Sequence, residues 1–173
     1  LIGIVQDGSF VGVVCETEHA AEAALAALRR GATWTAGDTL PDEDDLSAFL
    51  KAQPVESTTI ATKKAVNVGR VVRTIRRHYC RPYIAHASIA PSCAVAQWND
   101  GCAHVWTHSQ GVYLLRADLA LVLKLPVEAI TVEHMEGAGC YGHNAADDVA
   151  LDAVLLARMS DGRPVRVQWY HCT

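Results

Sequence analysis

The chemically reactive residue types are densest in residues 136–148, which read EGAGCYGHNAADD. Glycines alternate there with a cysteine, a tyrosine and a histidine, and two aspartates open the apolar run that follows. Such residues serve in three kinds of site: a phosphate-binding loop, a metal centre, or a cysteine nucleophile activated by a histidine. A loop that holds a bulky ligand against its backbone is the fourth reading.

The phosphate-binding reading fits the letters of the stretch but not its surroundings. GAGCYG has the GxGxxG spacing, yet it does not follow the first strand of the chain, and no GxxxxGK motif is present. Asn144 is a good helix N-cap, and Asp147 and Asp148 then fall in the first helical turn. A phosphate at that helix end would face two carboxylates. The glycines therefore indicate close backbone approach to a large ligand, as in the wall of a cofactor site.

Metal binding and nucleophilic catalysis find weaker support. The alternation of a strand puts Cys102, His104 and Trp106 on one face, but no second tight ligand pair accompanies them. Cys140 and His143 could form a nucleophile pair, although no third group that would orient the histidine is identifiable. A small zinc protein remains an alternative, with ligands drawn from Cys93, Cys102, His104 and His108.

The elements that position these residues alternate between strands and helices. Turn signals at Asp7-Gly8 and at residues 99–101 predict two β-hairpins, and an Ala- and Leu-rich helix follows the first. Residues 33–62 read as a polar linker with a short helix after Asp45, in which the acidic run is a helix start. In the basic stretch 62–88, the alternation of Val, Ile and Tyr with Arg predicts a strand in preference to a nucleic-acid-binding face. A helix ended by Pro126, a strand, an apolar helix and a last strand complete an α+β (mixed α/β) fold.

Composition limits the possible functions. The chain has 173 residues and a formal charge of −4, which argues against nucleic acid as a partner. Its six cysteines are scattered and predict reduced, mostly buried thiols. No window reaches the roughly 20 apolar residues of a membrane span. Both ends are strand-like, so we expect a piece of a longer protein that exposes apolar surface, which a homodimer of the chain would cover.

Four stretches in order resemble one enzyme family. They are RPYIAHASIAPSCAVAQW, VWTHSQGVYLLRADLALVLKLP, EGAGCYGHNAADDVALDAVLLAR and GRPVRVQW. Together they resemble the molybdenum hydroxylases of the xanthine oxidase and aldehyde oxidase superfamily. The branch with isoquinoline 1-oxidoreductase and nicotinate dehydrogenase is the more similar one. This resemblance implies that residues 1–36 end an α/β hammerhead-like domain, residues 37–68 are a linker, and residues 69–173 begin a molybdopterin-binding domain.

The resemblance also implies a chemistry. The cofactor would be molybdenum on molybdopterin, in bacteria often the cytosine dinucleotide form, and none is expected on this chain alone. The reaction would be hydroxylation of an N-heteroaromatic ring or an aldehyde with oxygen from water. Electrons would leave through iron-sulfur clusters on a partner subunit. Substrate identity, final electron acceptor and cellular location stay open.

Site residues follow from the resemblance position by position. Gln110 matches the glutamine that contacts the molybdenum oxo ligand, and Gly139, Cys140, Tyr141 and Gly142 match the glycine-rich segment beside the metal. Asn144 occupies a substrate-contacting position where xanthine-type enzymes carry glutamate, which disfavours purines as substrates.

Two further features of the resemblance bear on activity. His86 and Pro91 keep a family motif in which Ala90 replaces a glutamate. The catalytic glutamate is expected beyond Thr173, so no catalytic residue is expected in this chain. An inactive scaffold or assembly module of the same fold is the second reading.

Overall fold

The structure is a computed structural model that describes residues 1–35, 37, 40–63, 69–70, 72–81, 90–137, 139, 141 and 148–169. Contacts between residues divide the chain into two compact units. One comprises Leu1–Ala32 and Ile84–Thr173, and the other comprises Thr33–Tyr83. The first unit holds all six strands and three of the four α-helices that the described residues form.

The first unit begins with the predicted hairpin and helix. Strands β1 (Gly3–Asp7) and β2 (Phe10–Val14) pair in antiparallel register, and the turn between them includes Gly8 with a φ of 58°. Helix α1 spans Glu18–Gly31. The Thr17 hydroxyl caps it by accepting a hydrogen bond from the Ala20 amide at 3.3 Å. This part of the sequence prediction is confirmed.

The unit Thr33–Tyr83 contains the predicted short helix. A 3₁₀ turn, Glu43–Asp45, leads into helix α2, Leu46–Ala52. The Asp45 carboxylate caps α2 by accepting from the Ala48 amide at 3.1 Å. The acidic run is therefore a helix start, as predicted.

The strand predicted in the basic stretch is wrong for the residues that the structure describes there. Residues 69–70 and 72–81 form neither strand nor helix, and all of their side chains are exposed. No strand among the described residues pairs with this segment. A single extended segment without a paired neighbour is not stable as a strand.

A four-stranded sheet forms the centre of the first unit. It contains β3 (Cys93–Asn99), β4 (Cys102–Thr107), β5 (Ile130–His134) and β6 (Val165–Gln168), in the spatial order β5-β4-β3-β6. Strands β3 and β4 form the second predicted hairpin, while β4 and β5 pair in parallel. Asp100 and Gly101 both have positive φ, at 47° and 79°, as a tight hairpin turn requires.

Two helices cover one face of this sheet. Helix α3 (Val112–Leu123) connects β4 to β5 and packs on β5, whereas α4 (Asp148–Ala157) packs mainly on β3 and β6. Lys124 ends α3 in a left-handed conformation, two residues before Pro126. All the α4 side chains whose burial is described are buried or half-buried, as its apolar sequence predicts. The small residues Ala94 and Ala96 of β3 let this helix lie close to the sheet.

The cysteines differ from the prediction. Cys80 and Cys102 are exposed thiols, and Cys15 and Cys93 are only half-buried. Cys102 directly follows a hairpin turn on the face that no described helix covers, and Cys80 lies in the segment without sheet pairing. Burial of these four thiols was therefore a wrong expectation. No helix in the described part of the chain has the length and hydropathy that a membrane crossing requires.

Candidate functional site

The candidate site lies where the parallel strands β4 and β5 end. Parallel neighbours point their carboxyl ends to the same sheet edge, and ligands of open α/β sheets bind outside that edge. Residues 108–111 follow β4 and residues 135–141 follow β5, so both loops start at this edge. The topology thereby explains why motifs more than twenty residues apart in sequence lie together in space.

The two loops are in direct contact. The Met135 amide donates to the Thr107 carbonyl at 2.8 Å, which extends the β4–β5 pairing by one residue. Beyond it, a Cβ added at Gly137 would lie 2.7 Å from the Cβ of His108, which is closer than real Cβ atoms come. Only glycine allows this approach. Gly139 follows with a φ of 89°, a conformation that side chains rarely adopt, next to the Tyr141 ring.

Hydrogen bonds fix the backbone on both sides of Gln110. Ser109 is fully buried, and its amide donates to the Thr107 hydroxyl at 3.4 Å. Its own hydroxyl accepts from the Gly111 amide at 3.3 Å, and its carbonyl accepts from His134 Nδ1 at 3.0 Å. The Gln110 side chain between these anchors is exposed. A carboxamide held this way can both donate and accept hydrogen bonds to a ligand at the sheet edge.

A cleft of about 720 Å³ opens at the same edge. Its lining is mostly apolar and includes backbone of the glycine-rich loop. The main lining residues are Pro91, Cys93, Trp106, His108, Met135, Gly137, Gly139 and Gln168. Burial raises the pKa of the Cys93 thiol, and the Arg166 guanidinium partly offsets that rise. A neutral thiol, glycine backbone and apolar side chains suit a large organic cofactor.

A cluster of three side chains on β4 and β5 lies on the sheet face that no described helix covers. Glu133 accepts from His104 Nε2 at 2.8 Å and from Trp106 Nε1 at 3.1 Å. The His104 and Trp106 rings stack with centroids 4.0 Å apart. Because the indole of Trp106 also lines the cleft, this cluster fixes one wall of the site.

The residues predicted from sequence are distributed as follows. Gln110 and Gly139 lie in the two loops that meet, with Tyr141 beside Gly139. Ala90 and Pro91 line the cleft. The predictions for Cys140, Gly142, Asn144, His86 and His143 lie outside the described residues.

The zinc alternative finds no support in the described ranges. No group of three or more potential metal ligands occurs among the described residues. His104 instead bonds Glu133, His134 bonds a backbone carbonyl, and His108 Nε2 accepts from the Cys93 amide at 3.3 Å. The geometry of these histidines indicates hydrogen-bonding roles.

Sequence reasoning missed Glu133 and the hydrogen-bonding role of His134. Their partners lie on β4 and its loop, 29 and 25 positions away in sequence. One signal could have found them. The helical stretch between two strand-like runs indicates a β-α-β unit with parallel strands, and aligning those runs places Glu133 beside Trp106.

Comparisons with known proteins identify the family of this chain. The molybdopterin cofactor-binding domain family matches residues 51–170. One nicotinate dehydrogenase subunit, from Pseudomonas putida, is 41% identical over 171 residues, which is 97% of this chain and 14% of that protein. The aldehyde oxidoreductase molybdenum-binding subunit PaoC of Escherichia coli K12 is 34% identical over 90 residues, or 51% of this chain and 12% of that protein.

The chain thus spans only a small part, 14% and 12%, of the length of these two curated relatives. Within that part, the family match includes both loops at the sheet edge and most of the residues that line the cleft. The chain belongs to the molybdopterin cofactor-binding domain family of the xanthine oxidase-type molybdenum hydroxylases.

Proposed function

We propose that the full-length protein is a molybdenum-dependent oxidoreductase, and that this chain forms one wall of its molybdopterin site. The observation that carries the proposal is the meeting of the loops after β4 and β5 beside an apolar cleft, within the family match. The close approach of Gly137 to His108 and the positive φ of Gly139 leave glycine backbone facing outward. Such a surface accepts a bulky ligand at short distance.

The residues of the chain would hold and orient the cofactor. Gln110 would hydrogen-bond an oxygen ligand of the metal through its carboxamide. Gly139, Cys140, Tyr141 and Gly142 would lie against the cofactor beside the metal. When bound, the cofactor supplies a water-derived oxygen nucleophile and accepts two electrons.

The substrate would be a small N-heteroaromatic compound or an aldehyde, which Asn144 would contact. Electrons would leave through iron-sulfur clusters of a partner subunit. The cofactor would be the cytosine dinucleotide form of molybdopterin. The names of two relatives, a nicotinate dehydrogenase subunit and an aldehyde oxidoreductase subunit, support this substrate class.

We also propose that the chain divides into the end of a hammerhead-like domain (1–36), a linker (37–68) and the start of the cofactor domain (69–173).

The test compares the full-length protein, isolated with any copurifying subunits, with a Gln110→Ala variant. Elemental mass spectrometry measures molybdenum, and assays in ¹⁸O-labelled water follow oxygen transfer to nicotinate-like and aldehyde substrates. We expect stoichiometric molybdenum in both proteins and label in the product. For the variant, kcat should fall by roughly 10²-fold, the size of effect seen when one preorganised hydrogen-bond donor is removed. Gln6→Ala, at an exposed position of β1, is the matched control.

The outcomes separate the proposal from its alternative. Wild-type protein without molybdenum and without turnover would overturn the proposed activity and favour the scaffold reading that Ala90 raised. Molybdenum with full activity in Gln110→Ala would leave the activity standing but remove the proposed role of Gln110.

A further inference from the structure

We infer that His134 is a positioning residue that sets the direction of Gln110. This inference rests on the proposed function, because it concerns how the chain presents Gln110 to the cofactor. His134 is the last residue of β5, and its Nδ1 lies 3.0 Å from the carbonyl oxygen of Ser109. Ser109 immediately precedes Gln110 and is fully buried.

The hydrogen bond has a defined polarity. A carbonyl oxygen only accepts, so His134 Nδ1 must carry the hydrogen. Both the neutral ring with that tautomer and the charged ring can donate this bond. The bond therefore links the end of β5 to the loop after β4.

The position of the link explains its effect on Gln110. On the amino side of Gln110, the Ser109 carbonyl is held by His134, and on the carboxyl side the Gly111 amide is held by the Ser109 hydroxyl. The peptide plane that joins Ser109 to Gln110 contains the anchored carbonyl. Fixing that plane limits the φ of Gln110 and so the direction of its side chain.

The same dipeptide of β5 orders both sides of the site. Successive strand residues point to opposite faces of the sheet. Glu133 therefore bonds Trp106 on the uncovered face, while His134 on the opposite face bonds Ser109 in the loop after β4. Loss of His134 should thus release Gln110 without disturbing the Glu133 cluster.

The experiment uses the full-length protein, isolated with any copurifying subunits, in three variants. His134→Ala removes the donor. His134→Asn keeps it, because the amide nitrogen of asparagine and Nδ1 of histidine are both two bonds from Cβ. His19→Ala is the matched control, since His19 is exposed on α1. Hydrogen–deuterium exchange of a peptide covering residues 108–112 is measured in all proteins, together with molybdenum content, kcat and KM.

We expect exchange at residues 109–111 to be about fivefold faster in His134→Ala, as loss of one hydrogen bond predicts. In that variant kcat should fall about tenfold with unchanged molybdenum content and KM. The asparagine variant should stay within about twofold of wild type in both exchange and kcat.

Equal exchange in wild type and His134→Ala would overturn the anchoring role. Equal loss of kcat in the alanine and asparagine variants would overturn it as well, because the donor would then not be what matters. Absence of molybdenum from the wild type would instead overturn the proposed function, and with it any effect of His134 on a cofactor. If the wild type contains molybdenum and is active, and His134→Ala matches it in exchange and kcat, only the positioning role of His134 is refuted.

Discussion

Glu133 binds two aromatic side chains at once, one through each carboxylate oxygen. Its side chain is about half exposed, at 51%, so its contact with His104 contributes little stability by itself. Its effect is geometric. The bond to the indole nitrogen and the stacking on His104 both hold the ring of Trp106, which lines the cleft.

The sequence predicted part of this cluster. Strand alternation correctly placed Cys102, His104 and Trp106 on one face, because that pattern is local. Glu133 was missed because its contact depends on the register between two parallel strands. The alternation within β4 alone gives the face of each side chain, and only alignment with the second strand-like run pairs Trp106 with Glu133.

The ion pair between Glu16 and Arg163 predicts how the stability of the fold depends on pH. The Glu16 carboxylate accepts from Arg163 at 2.8 Å, and this hydrogen bond, with the positive charge of Arg163, lowers the pKa of Glu16 below its usual 4.5. A lowered pKa means that the pair stabilises the fold above the usual value and that this stabilisation is lost as pH falls through the lowered one. Arg163→Ala should therefore weaken the acid dependence of the midpoint of thermal unfolding.

The measurement is thermal unfolding of wild type and Arg163→Ala between about pH 3 and pH 7. The two midpoints should converge at the acid end, where Glu16 is protonated in both proteins. Arg29→Ala, which removes an exposed arginine from α1, is the control. A constant difference across the whole range would show that Arg163 acts through packing and not through Glu16.

Among the elements, those with local signals were predicted well. Asp-Gly turns correctly predicted both hairpins, Ala- and Leu-rich composition predicted α1, and the acidic run before Leu46 marked the start of α2. The prediction for the basic stretch failed because a strand is stable only when a neighbour pairs with it, and no described strand pairs with residues 69–70 or 72–81. The meeting of the two loops was not predictable in detail, since it results from the topology of the whole sheet.

The contact between those loops depends on the absence of a side chain at Gly137. Gly137→Ala would place a Cβ 2.7 Å from the His108 Cβ, so one loop must shift. We expect a loss of about 1–3 kcal/mol in the free energy of unfolding. Gly31→Ala is the matched control, because a Cβ there meets nothing within 4 Å and the residue is helical. It should stabilise by about 0.5–1 kcal/mol.

Urea denaturation of the two variants measures both effects. A lower free energy of unfolding for Gly137→Ala together with a higher one for Gly31→Ala would support the close approach of the loops. If Gly137→Ala proved neutral, the loops would have room to separate, and the contact would not constrain the site.

For the molecule as a whole, the distribution of apolar surface is uneven. Helix α3 buries Leu115, Leu119 and Leu123 against the sheet, yet its outer face is apolar as well. Its exposed members include Tyr113, Leu114, Leu121 and Val122, with exposed fractions between 57% and 84%. Exposed apolar surface was expected from the sequence and is found on α3, whereas the apolar helix α4, which was expected to lack partners, is covered. Patches of this kind mark surfaces that another protein segment covers.

This surface predicts self-association of the 173-residue chain. Leu121→Lys should shift light-scattering mass toward the monomer, because a charge in the centre of an apolar contact is costly to bury. Leu40→Lys, at an exposed leucine outside α3, should leave the mass unchanged. A wild-type chain that stays monomeric at high concentration, or equal effects of both substitutions, would contradict the prediction.

The strand order of the central sheet has a consequence for how the protein is made. Strands β3, β4 and β5 follow one another in the chain, but β6 pairs with β3 across roughly 70 residues. During synthesis, the hairpin and the β-α-β unit can form early, while the free edge of β3 stays unpaired until β6 leaves the ribosome. From this sequence separation we expect closure of the edge to be slower than formation of the hairpin. Until it closes, we expect the unpaired edge of β3 to be open to pairing with another nascent chain.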